Sequence, residues 1–215
     1  MISKVITLMD VPESVKAAKR CIESGVFYGI HIQNFKAHTP KTAPNFIEKE
    51  KIDTRFFKEK WSRYKNALAA FSSHYSLWLE SFQTQQDYLI LEHDAVIIND
   101  IPTFLRGDIV NLGEPSYGAF NTPSKLGEGP LVSKPFFPGA HGYFITPVGA
   151  KKLILQAKKV ARPTDVFINN SAFNCSEYYP WPIKAKDSFT TIQRQEGIKA
   201  KHSFMKTGKM DILNV

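Results

Sequence analysis

Twice within its first thirty residues the chain changes hydrophobic period, and nothing else in it narrows the possible folds so far. Val5-Ile-Thr-Leu-Met9 is a short continuous apolar run of the kind that forms a buried strand. Asp10 and Ser14 then bracket a helix start with Pro12 in its first turn, and Val15, Ala18 and Ile22 recur at helical spacing. Gly25 stands where a glycine stop belongs, and Val26-Phe-Tyr-Gly-Ile30 reads as a second strand. Strand, helix and strand joined this closely make a βαβ unit, which requires parallel pairing.

The alternation continues. Residues 34–54 are polar, contain Pro40 and Pro44, and read as a loop. From Ala67 to Gln83 the residues Leu68, Phe71, Tyr75, Trp78, Leu79 and Phe82 share one helical face. Asp87-Tyr-Leu-Ile-Leu91 is the clearest buried strand, and Asp108–Leu112 is another. Residues 113–138 are rich in glycine and proline without a sustained period and read as a long surface loop, a feature uncommon without a function. A strand over 139–146 follows, then a helix over 148–160 opened by Pro147 and a short helix over 165–172. The pattern predicts an α/β fold with a single mixed, mostly parallel sheet flanked by helices. At 215 residues, with no linker, it predicts one domain over 1–215.

Composition removes several classes. A hydrophobic content of 43% excludes a disordered chain, and two cysteines, Cys21 and Cys175, cannot build a disulfide framework or a structural zinc site unaided. There is no run of 18 apolar residues and no secretory leader pattern at the N-terminus, so the expectation is a soluble, cytoplasmic protein without a transmembrane segment. The net charge of +8 is uneven: residues 36–65 and the stretch after 145 are basic, whereas 66–145 is acidic. Such flanks suit an anionic partner, and contact with a membrane surface fits the same charge.

The chemistry-bearing motifs are few. G-x-x-x-x-G-K-[ST], G-x-G-x-x-G after a strand, G-x-S-x-G and H-E-x-x-H are all missing. What remains is Glu92-His93-Asp94 at the carboxyl end of a buried strand, where ligands of open α/β sheets bind. Two carboxylates on a tight turn can face one Mg²⁺ or Mn²⁺ that keeps open positions for substrate phosphates; equally, they can be polar residues closing a turn.

At these residues a resemblance emerges. Tyr88-Leu-Ile-Leu-Glu-His-Asp-Ala-Val96 resembles the Ile-Leu-Glu-Asp-Asp-Ala segment of the family 25 glycosyltransferases, the lipooligosaccharide and collagen galactosyltransferase group. Ala69–Trp78 is similar to that family's helix with Ser-His and a following Trp. Gly139-Ala-His-Gly-Tyr-Phe-Ile-Thr146 with Gly149-Ala150 and Leu153 is similar to its Gly-Tyr segment, and Pro163-Thr-Asp165 stands at its Pro-x-Asp. The matches are in order and cover about half the chain.

The resemblance implies a GT-A type, inverting, metal-dependent transferase that moves a hexose from a UDP-sugar to a saccharide acceptor of the lipopolysaccharide kind. Glu92 and Asp94 would bridge Mn²⁺ or Mg²⁺ to the donor diphosphate, and Asp165 would be the catalytic base, unless it is an N-cap. Ser73, His74, Gly142 and Tyr143 would contact donor or acceptor, Gly142 by allowing close backbone approach. One departure stands out: His93 replaces the family's central Asp, and strand alternation turns it away from a ligand held by its neighbours. Gln193 and His202 have weaker claims. Two other readings use the same residues: a transferase acting on modified bases of DNA, and a GT-A-like binding protein without catalysis.

Overall fold

The computed structural model describes residues 1–57, 63–186 and 192. The elements are β1 (Ile2–Thr7), α1 (Pro12–Phe27), β2 (Ile32–Lys36), α2 (Ala43–Glu50), α3 (Tyr64–Thr84), β3 (Tyr88–Glu92), β4 (Ala95–Ile97), β5 (Ile109–Asn111), β6 (Gly127–Pro130), β7 (Gly142–Ile145), α4 (Pro147–Ala157), α5 (Thr164–Phe167), β8 (Ser176–Tyr179) and β9 (Ile183–Ala185). Seven strands form one mixed sheet in the order β2-β1-β3-β7-β5-β8-β6, and β4 pairs with β9 in a small second sheet. Strands β2, β1 and β3 are parallel, as are β5 and β8, while β7 and β6 run against their neighbours. This is the expected α/β architecture of a mixed sheet flanked by helices. No helix among the described residues is long and apolar enough to cross a membrane.

Alternation along β3 divides the interior. Tyr88 and Ile90 point into a core shared with α3 and α4 that includes Phe71, Tyr75, Trp78 and Tyr143. Leu89 and Leu91 point to the other face, against Ala18 and Cys21 of α1 and Ile183. Full burial of Phe71, Tyr75 and Trp78 on one stripe of α3 explains why that helix forms there, at about 1.5–3 kcal/mol per large apolar side chain.

Four expectations need correction. The second strand is Ile32–Lys36, and α1 continues through Gly25 to Phe27. Gly25 is needed for packing rather than as a stop, because a Cβ there would lie 2.4 Å from Cδ1 of Ile32. The chain turns away after the cap residue Tyr28 at Gly29, whose φ of 69° is open to glycine. Residues 34–54 are not one loop, since α2 starts with Pro44 in its first turn, where the missing N–H costs nothing. The long loop 113–138 contains β6, an edge strand held by backbone pairing to β8 without an apolar pattern of its own. The helix expected over 165–172 is only the four-residue α5.

Candidate active site

The carboxyl end of β3, the start of β7 and the end of β5 meet at one edge of the sheet. Leu91 pairs with Gly142 and Asn111 with Tyr143, and the Glu92 N–H donates to the His141 carbonyl at 3.0 Å. Glu92 follows Tyr88 and Ile90 on the α3 side of the pleat and there meets His74, with 3.0 Å between Nε2 and Oε1. The other ring nitrogen of His74 lies 2.9 Å from the Tyr143 hydroxyl, which also accepts from Trp78 Nε1 at 2.8 Å.

The direction of this chain follows from its first member. An indole N–H only donates, so the Tyr143 oxygen accepts from Trp78 and its own proton is left for His74 Nδ1. His74 then carries its proton on Nε2 and donates it to Glu92, and every polar atom in the series has a partner. Burial holds the Tyr143 phenol well above its ordinary pKa, the Glu92 charge adding and the Trp78 bond opposing, so the hydroxyl remains a donor. Burial pushes the Glu92 carboxyl up, but the His74 hydrogen bond and the nearby imidazoles of His74, His93 and His141 outweigh it and leave the pKa lowered. Of the four side chains only Glu92 reaches the surface, at 24% exposure. The network therefore orients one ionised carboxylate at the sheet edge.

This relocates several expected contacts. Ser73 is buried, donates to the Ala69 carbonyl at 2.9 Å and accepts from the His38 N–H at 2.8 Å, so it ties α3 to the end of β2. His74 and Tyr143 are buried too, and their polar atoms bond to each other, to Glu92 and to Trp78. Gly142 does allow a close approach, but of Ile183, whose Cδ1 would lie 2.7 Å from a Cβ there. Trp181 is buried and donates to Glu177 at 3.1 Å, with Tyr179 edge-on to its ring at 5.0 Å.

The two carboxylates of the Glu92-His93-Asp94 turn have different neighbours. Glu92 is bonded to His74 on the α3 side, whereas Asp94 lies close enough to Cys21 of α1, on the opposite face, to act on its thiol together with Arg20. The Cys21 pKa is pushed up to about 12, first by burial and then by the Asp94 charge, with Arg20 opposing. Among the described residues, no three His, Cys, Asp or Glu side chains gather so as to hold a metal ion. Glu92 and Asp94, the pair expected to bridge Mn²⁺ or Mg²⁺, therefore gather no third such side chain around them.

Asp165 lies in the first turn of α5, whose N-cap is Pro163, so it is not the cap. Its carboxylate accepts from the Tyr117 hydroxyl, and from the Val166 N–H at 2.9 Å. Burial, then the Asp165 charge and hydrogen bond, hold the Tyr117 phenol well above its ordinary pKa, so it donates at neutral pH. Phe167 of α5 stacks on Trp78 at 5.7 Å, and Phe137, whose N–H donates to the Asp165 carbonyl, meets the Tyr143 ring edge-on at 6.0 Å. Asp165 and Glu92 are thus fastened to one aromatic core. Tyr117 and His141 carry no sequence signal for these positions: Tyr117 lies in a stretch without period, and His141 is a strand-end residue. His141 is 2% exposed and neither ring nitrogen makes a normal hydrogen bond; burial lowers its pKa to about 4 against the opposing influence of Glu92 and the Ile183 backbone. Gln193 and His202 lie outside the described residues.

No protein-family model and no curated protein sequence matches this chain.

Proposed function

We propose that this protein is an inverting glycosyltransferase of GT-A type that moves a hexose from a UDP-sugar to a saccharide acceptor. The observation that carries the reading is the meeting of His74, Trp78, Glu92 and Tyr143, which come from three separate segments of the family 25 resemblance, in one hydrogen-bonded series. Chance similarity at three places has no reason to produce a shared network.

In this reading Asp165, held by Tyr117, takes the proton of the acceptor hydroxyl. The acceptor oxygen bonds to the anomeric carbon as the bond to the diphosphate oxygen breaks, and UDP leaves from the opposite face. Glu92, fixed and ionised, orients the donor by accepting from sugar or ribose hydroxyls at the sheet edge. A divalent ion held by Glu92 and Asp94 would supply Lewis-acid stabilisation of the leaving diphosphate, and no step above depends on it.

The test is release of nucleoside diphosphate from a panel of nucleotide sugars, with neutral and anionic saccharides or DNA as acceptor, in Mn²⁺, Mg²⁺ or EDTA. Release from one donor should fall by about 10²–10⁴-fold in Asp165→Asn, the usual range for loss of a general base. Transfer to DNA alone would move the acceptor to the modified-base reading. Release unaffected by Asp165→Asn and Glu92→Gln, or silence with every donor and acceptor, would defeat the proposal.

A further inference from the structure

Lys134 is a cation with no place in the chemistry above. It is only 8% exposed, and its ammonium lies 5.3 Å from the centre of the Tyr117 ring and 5.4 Å from that of Phe136. Among the described residues no carboxylate pairs with it; burial alone acts on it, drawing its pKa down, with no opposing negative charge. The stem of the side chain is packed into the fold while the ammonium, over two ring faces and without a carboxylate partner, stays within reach of solvent and so of an anion.

The backbone keeps it there. The N–H groups of Val132 and Ser133 both donate to Glu177 Oε1 at 2.7 Å. Asn170 N–H donates to the Pro135 carbonyl at 2.9 Å, and Phe137 N–H reaches the carbonyls of Asp165 and Ile168 at 3.2 and 3.1 Å. Pinned on both sides by bonds to β8 and to the α5 region, the segment holds the Lys134 backbone beside the two rings. Tyr117 stands between the two charges, with its face toward the Lys134 ammonium and its hydroxyl on Asp165.

We propose that Lys134, walled by Tyr117 and Phe136, is an anion-binding site that takes a phosphate or carboxylate group of a substrate beside Asp165. The substrate's place next to Asp165 rests on the transferase reading, whereas the anion site itself does not. The anion supplies the missing counter-charge, and the rigid cage selects a ligand that carries one. A donor diphosphate and an acidic group on the acceptor share this chemistry.

The experiment is calorimetric titration of the full chain, as wild type, Lys134→Met and Lys134→Arg, with UDP, uridine, inorganic pyrophosphate, glucuronate and glucose. Loss of a charge-assisted contact should weaken the anion concerned by at least roughly tenfold in Lys134→Met, leave its neutral counterpart unchanged, and be largely restored in Lys134→Arg. Weakened UDP and pyrophosphate with unchanged uridine assigns the site to the donor; weakened glucuronate with unchanged UDP assigns it to the acceptor. Equal affinities across the three proteins, or no binding of any of these anions to wild type, overturns the proposal. Should Lys134→Met fail to fold, acetylation of the wild type read by peptide mass spectrometry decides: a bound anion must slow modification of Lys134 relative to exposed Lys158, and unchanged rates refute the site. None of these readouts needs turnover, so a failed transferase assay leaves them intact.

Discussion

Trp78 decides the protonation pattern of a carboxylate it does not touch. Because its N–H can only donate, Tyr143 must pass its proton to His74, and His74 must present Nε2–H to Glu92. Replacing Tyr143 with Phe removes the middle member and leaves two buried polar atoms, Trp78 Nε1 and His74 Nδ1, without partners. The expected loss is about 1–3 kcal/mol in urea unfolding, with the His74 tautomer no longer fixed in its nitrogen chemical shifts. Unchanged stability and an unchanged tautomer would show that the series does not operate as drawn. The resemblance pointed to each of these residues singly; that three of them serve the fourth follows only from their distances.

Between elements, the docking of α4 on β5 shows how a turn becomes a joint. Thr146 caps α4 by accepting the Gly149 N–H at 3.1 Å, and its hydroxyl donates to Asp108 at 2.7 Å. Lys152, one turn into the helix, donates to the other Asp108 oxygen at 2.7 Å. Burial raises the Asp108 pKa, but the Lys152 and Thr146 hydrogen bonds and the Lys152 charge outweigh it, leaving it below its ordinary value. A carboxylate lowered on folding contributes stability above its unfolded pKa and loses it as pH falls through the folded one. The thermal midpoint should therefore drop more steeply below the ordinary carboxylate range in wild type than in Asp108→Asn. At neutral pH the difference should be within about 1 kcal/mol, because the pair is partly solvated. Gly149→Ala is a harsher test of the same joint: its Cβ would lie 2.2 Å from the Asp108 carbonyl oxygen, so a loss of roughly 1–3 kcal/mol is expected in the same melts. Pro147 and the apolar period made α4 legible in sequence, but nothing in residues 127–130 announced β6, whose strand character comes from its partner β8.

Across the whole molecule, one buried carboxylate couples the far half of the sheet to the segment beside Asp165. Glu177, on β8, accepts from Val132 and Ser133 through one oxygen and from Trp181 through the other. In Glu177→Gln the amide would oppose a donor with a donor on one side or the other. Amide exchange at Val132 and Ser133 should accelerate by about tenfold or more, equivalent to losing roughly 1.4 kcal/mol of local protection, while β1 and β3 exchange as before. Uniform acceleration across the sheet would mean that Glu177 supports global stability and not this segment. Such a pin cannot be read in sequence, where Glu177 is an isolated acid before a pair of tyrosines.

What sequence alone determined is the class of the fold and where its main elements lie: hydrophobic period is a local property, and in β1, α3, β3, β7 and α4 local period and final burial agree, whereas in α1 Val15 of the expected stripe is exposed and Ser14, Ala17, Ala18, Cys21 and Gly25 are buried instead. It also marked the edge at which β3 ends in charge. Tertiary structure decided what those charges do, because that depends on which face of the sheet each side chain meets. Glu92 meets His74 of α3, while Asp94, two residues on, lies near enough to Cys21 of α1 to raise its thiol pKa, so two acids of one motif have different helices as neighbours. Lys134, buried between two rings by bonds to Glu177, Asn170 and α5, follows from the same rule: pairing across long sequence separations sets the surroundings of a charge, and the surroundings set its chemistry.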